Sequence, residues 1–183
     1  MDVASVVLAC SLFGNDALIE GIIRAESAAA PMHVRAHDSV VGFPFESPAE
    51  ALVAIRSIRD DERAVHVGWM GINPEDARDF NVRPDQLFDP CMSVAIGSEL
   101  LSRYAVACGA TPAQPQVGCA LRKYATMLGR EPDLFATNVM FERRADEVEP
   151  LGRDAPGERA SVLYDLKHGE STGAIFFAPS SGE

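Results

Sequence analysis

The sequence contains no run of about 18 apolar residues, so no helix that crosses a bilayer is expected. It is also poor in basic residues. Sixteen Lys and Arg stand against 27 Asp and Glu, giving a formal net charge of -11 and a pI near 4.8. Such a surface does not gather phosphate backbones or anionic lipid, and nucleic acid is not expected as a partner. No CxxC pair occurs, which argues against a zinc or dithiol site. There is no P-loop and no dinucleotide fingerprint, and Gly97 with Ser98 lacks the flanking glycine of a nucleophile elbow. His33 and His37 have HxxxH spacing, but the Glu of HExxH is missing and Pro31 blocks a helix just upstream. The pair is expected on a hairpin surface, with no metal and no cofactor. A signal peptide is not recognisable either, since residues 1–10 are apolar but carry Asp2 and no basic stretch.

What is present fits a folded domain with an appendage. The chain has 183 residues, 47% of them hydrophobic, enough for one core. Helical periodicity dominates up to about residue 142. Beyond it, residues 143–183 alternate charges with Pro150, Pro156 and several glycines, and read as a charged extension, disordered or paired as a hairpin over 161–178. The fold class expected for 1–142 is α+β, mostly α, with a small strand region.

Residues 3–27 have a helical pattern broken near Gly14, where Asn15 or Asp16 can cap a second segment. Residues 33–45 read as short strands or an irregular hairpin. Ser47, Pro48 and Glu50 predict a capped helix over 47–60, and 65–67 a short strand followed by the glycine-punctuated loop 68–73. Asn73 with Pro74 and Asp89 with Pro90 open two further helices, and helical patterns restart at Cys119 and Pro132. Cys91 and Cys108 lie near opposite ends of one helix, about 25 Å apart at about 1.5 Å per residue, so they cannot pair. Two pairings remain, Cys10 with Cys91 and Cys108 with Cys119, or Cys10 with Cys108 and Cys91 with Cys119, besides four buried thiols.

Glu26 is the residue that stands out. Leu18, Ile19, Ile22 and Ile23 form an apolar stripe, Glu20 and Arg24 an ion pair on the polar side, and Glu26 lies about 200° around the helix from Arg24, towards the isoleucines. Desolvation and the negative end of its own helix disfavour the ionised form, so a carboxyl that keeps its proton is expected. Such an acid can protonate a leaving-group oxygen, as glycosidic cleavage requires.

Four short motifs appear in order: Ile23, Arg24, Ala25, Glu26, Ser27; then Gly68, Trp69, Met70, Gly71, Ile72, Asn73; then Leu87, Phe88, Asp89, Pro90, Cys91; and finally Tyr124. Together they resemble the lytic transglycosylases of the goose-type-lysozyme superfamily, and within it the peptidoglycanases associated with type IV secretion. The resemblance covers about residues 5–141. It implies a lysozyme-like fold with strands beside a cleft, and a periplasmic location. It further implies cleavage of the MurNAc-GlcNAc bond by Glu26 alone to leave 1,6-anhydro ends, the substrate's acetamido group replacing a second carboxylate. Ser27, Trp69, Met70, Ile72, Asn73 and Tyr124 would then be substrate-binding, with Trp69, Met70 and Ile72 under the sugar rings and Tyr124 orienting the acetamido group or Glu26. The partners implied are peptidoglycan strands and, through the extension, secretion-system components. The family's glutamine and asparagine are replaced here by Gly71 and Ala125. That departure keeps a catalytically weak or inactive glycan- or partner-binding module as an alternative, beside a hydrolysing lysozyme or endolysin.

Overall fold

The computed structural model describes residues 2–109 and 116–147. The extension beyond them, with its expected hairpin, lies outside the described residues. The first long pattern is two helices, α1 (Val3–Cys10) and α2 (Asp16–Ser27), with Asn15 Oδ1 accepting from the Leu18 N–H as α2 opens. β1 (His33–Ala36), β2 (Phe43–Pro44), α3 (Pro48–Asp60) and β3 (Val65–Val67) follow, and Ser47 caps α3 as expected. α4 (Pro74–Arg78) is capped by Asn73, and a 3-10 turn over Pro84–Phe88, not foreseen, leads into α5 (Pro90–Ala107). α6 (Val117–Met127) and α7 (Pro132–Glu147) complete the domain. α7 therefore runs past the boundary expected at 142.

The architecture is mostly helical with one antiparallel sheet in the order β2-β1-β3, Val34 facing Phe43 on one side and Val67 on the other. α2 packs on α7, and α5 packs on both α1 and α6. α2 forms because Leu18, Ile19, Ile22 and Ile23 fall on one face, and all four are buried. Each contributes about 1.5–3 kcal/mol by leaving water. Among the described residues, no helix is long and apolar enough to cross a membrane.

The cysteines adopt the first of the two pairings. Cys10–Cys91 ties the end of α1 to the start of α5, and Cys108–Cys119 ties the end of α5 to α6. Four free thiols are thereby excluded.

Candidate functional site: a buried carboxylate between two arginines

Glu26 occupies the last turn of α2. The helix stops at Ser27, because Ala28 after it adopts a left-handed conformation (φ 49°) while its N–H still reaches the Arg24 carbonyl. Ala29 then accepts a hydrogen bond from Trp69 Nε1 at 2.9 Å. This contact fastens the end of α2 to the turn after β3 and brings Glu26 against that turn.

The turn is tight and well tied. Val67 and Ile72 exchange both backbone hydrogen bonds across it, at 3.0 and 2.9 Å. The Met70 N–H donates to Ser93 Oγ at 3.1 Å, and the Met70 carbonyl accepts from the Tyr124 hydroxyl at 2.7 Å. Gly71 sits at φ +63°, and a Cβ there would lie 2.8 Å from Glu26 Cγ and 2.9 Å from Glu26 Oε1. Glycine is required twice over, by the backbone and by the closeness of the carboxylate.

Glu26 is buried, as its helical position predicts, yet its surroundings are not the apolar pocket expected from the isoleucines alone. Oε1 accepts from Arg35 Nε at 2.7 Å; Oε2 accepts from Arg130 Nε at 3.0 Å and lies 2.9 Å from Arg130 Nη2. The side chains of Glu26 and Arg35 are 0% exposed, and that of Arg130 is 16% exposed. Arg35 is held by more than the carboxylate. Its Nη1 is shared among the carbonyls of Ala36, His37 and Ser39, and its Nη2 donates to the Leu128 carbonyl at 2.7 Å. Burial pulls its pKa down, and the adjacent Glu26 opposes that fall.

The histidines depart from expectation. His33 is buried at the start of β1 rather than exposed on a hairpin surface, and its Nδ1 has no hydrogen-bond partner among the described residues. Burial, with Arg35 and Arg130 nearby, pushes its pKa down to about 4. His66, fully buried, lies 3.0 Å from the Gly71 carbonyl through Nδ1. A carbonyl only accepts, so Nδ1 carries the proton. Burial and Arg35 lower the pKa of His66 to about 3, so the ring is neutral and its Nε2 accepts from His37 Nδ1 at 3.0 Å. Among the described residues, no group of His, Cys, Asp and Glu could hold a metal ion.

The other expected site residues have structural partners. Ser27 Oγ donates to the Ile23 carbonyl at 2.9 Å, and Asn73 Oδ1 accepts from the Glu75 N–H. Trp69, Met70 and Ile72 lie in the core. Tyr124 is fully buried, its hydroxyl committed to Met70; burial first, and the charge of Glu26 second, hold its pKa well above the usual value. Ala125 is buried on α6. The structure thus gathers Glu26, Gly71 and Tyr124 into one region and adds Arg35, Arg130 and His66. An arginine inside a strand with apolar neighbours was the one sequence signal of such a centre. Arg130 carries only its place after Gly129 at a helix end.

The described cavities lie elsewhere; one, between α6 and α7, is lined by Leu121, Arg122, Ala136 and Met140. No protein family, curated protein or solved structure matches this chain.

Proposed function

We propose that this chain is a peptidoglycan-directed domain of the lytic transglycosylase type that holds a glycan strand, or a partner docked beside it, without cutting it. The observation that carries the reading is the closure of Glu26. Both its oxygens are occupied by guanidinium groups, and none of its side-chain surface meets solvent. A general acid has to reach the glycosidic oxygen directly or through one water. Glu26 in this arrangement neutralises two arginines instead.

The direction towards peptidoglycan rests on the four ordered motifs, three of which converge on one region: Glu26 closing α2, the 68–73 turn against it, and Tyr124 hydrogen-bonded to that turn. A helical domain with a small antiparallel sheet next to the carboxylate is compatible with a lysozyme-like fold. Two disulfides suit an exported protein, in keeping with a periplasmic site of action near a secretion apparatus.

The second reading is an active lytic transglycosylase. The partial exposure of Arg130 favours it, because one of the two cations stands at the protein surface. Glu26 would then protonate the oxygen between MurNAc and GlcNAc and afterwards take the proton of the C6 hydroxyl, closing the 1,6-anhydro ring. Incubation with purified, insoluble peptidoglycan separates the readings. The expected result is co-sedimentation with no soluble product. Anhydromuropeptides establish the transglycosylase, and new reducing ends a hydrolase. Absence of both binding and cleavage removes peptidoglycan as the target.

A further inference from the structure

The two arginines on Glu26 are attached to the protein in different ways. Every nitrogen of Arg35 is committed, Nε to Glu26, Nη2 to the buried Leu128 carbonyl and Nη1 to the carbonyls of Ala36, His37 and Ser39, so withdrawing it would orphan several carbonyls together with the carboxylate. Arg130 stands in the turn between α6 and α7, just after Gly129, and among the described residues its side chain holds, besides Glu26, one group: Nη1 donates to the Val40 carbonyl at 2.7 Å.

Val40 belongs to the strap 38–42 between β1 and β2. Its side chain is 83% exposed, and Val41 beside it is exposed as well. The strap therefore buries little apolar surface and is held down by polar contacts: Arg130 on Val40, Arg35 on Ser39, and an exposed ion pair between Asp38 and Arg63. Surface pairs of that kind contribute little. At its far end Gly42 rests on the His33 ring so closely that a Cβ would come within 2.1 Å of Nε2.

We infer that Arg130 and the strap 38–42 form a removable closure over Glu26, a latch that opens the carboxylate to solvent while Arg35 stays in place. The closed form depends on one guanidinium bridging a carboxylate and an exposed carbonyl; the open form leaves Glu26 Oε2 and the freed Arg130 side by side at the surface. This inference rests on the local geometry alone and is independent of what the domain binds.

The test uses the full-length chain, labelled at accessible carboxyls with a water-soluble carbodiimide and an amine, and read at Glu26 by peptide mass spectrometry. Amide exchange in α5 reports global unfolding in the same samples. In Arg130→Gln, labelling of Glu26 should rise about tenfold or more, the factor expected for losing charge-assisted hydrogen bonds from the closed state. Gly42→Leu, whose Cβ would meet the His33 ring and come within 3.0 Å of Arg35 Cβ, pushes the strap away without removing any group that hydrogen-bonds Glu26, and should raise it in the same direction. In both variants α5 exchange should stay as in the wild type. Labelling that does not rise in either folded variant overturns the inference. So does labelling that rises only in step with α5 exchange, and so does failure of both variants to fold, because a removable closure cannot be a condition of the fold.

Discussion

Arg35 Nε lies 2.7 Å from Glu26 Oε1 with neither side chain touching solvent, a pair nine residues apart in sequence that joins the end of α2 to β1. Two charges withdrawn together cost several kcal/mol each in desolvation, and they are tolerated only because each satisfies the other and the remaining hydrogen-bonding capacity is filled. Arg35 fills its capacity with backbone carbonyls, and Glu26 fills its own with Arg130. The carboxylate is therefore a structural component of the domain, whatever else it does.

Glu26→Gln should accordingly destabilise the protein. The substitution leaves Arg35 buried without its counter-charge, a change that costs about 3–5 kcal/mol for fully buried pairs. In a domain of this size the melting temperature should fall by roughly 10 °C. A melting curve within a degree or two of wild type would show that the pair contributes nothing net.

Gly71→Gln would bring the residue type of the resembled family back, and the sequence alone suggests a gain in activity. The geometry predicts damage. The backbone is left-handed there, which costs a non-glycine residue about 1–2 kcal/mol, and the new Cβ would collide with Glu26 and with Leu128 Cδ2. Gly71→Ala should show most of the same loss in thermal denaturation, since the conflict begins at Cβ. An alanine variant as stable as wild type would contradict the tight packing of the turn.

Periodicity and caps made the helices legible: the Asn15 break, the Ser47 cap and the Asp89 start all occur where local residues require them. These signals act within a few residues of the chain. The partners of Glu26 are not local. Arg130 is 104 positions away, and the contact of Glu26 with Gly71 depends on the turn after β3 folding back onto α2. Helical spacing could show that Glu26 faces inward but not what meets it there. His33 was misplaced on a surface for the same reason, since the strand pattern does not say that the strap covers it.

The disulfides should differ in their effect on stability. Cys10–Cys91 closes a separation of 81 residues and Cys108–Cys119 one of 11. In the chain-entropy account the longer loop constrains the unfolded state more, about 4–5 against about 3 kcal/mol. Replacing Cys10 and Cys91 by alanine should therefore lower the denaturation midpoint further than replacing Cys108 and Cys119. The reverse order would place the stabilisation in local contacts at the α5–α6 junction.

Stability should also fall as the solution is acidified through the histidine range. His33 and His66 have pKa values lowered to about 4 and about 3, chiefly by burial, whereas in the unfolded chain both titrate near 6.5. Above that value neither state binds the proton, and the full stability is present. Below it the unfolded chain takes up protons that the folded chain refuses, so each histidine costs about 1.4 kcal/mol per pH unit until its folded value is reached. Between pH 6 and 5 most carboxylates remain ionised, which isolates the histidines. His66→Asn keeps a donor near the Gly71 carbonyl but does not titrate, so urea midpoints should depend less steeply on pH in this interval, by about 1.4 kcal/mol per unit. An unchanged slope in the folded variant would mean that His66 is not held neutral against its ordinary titration.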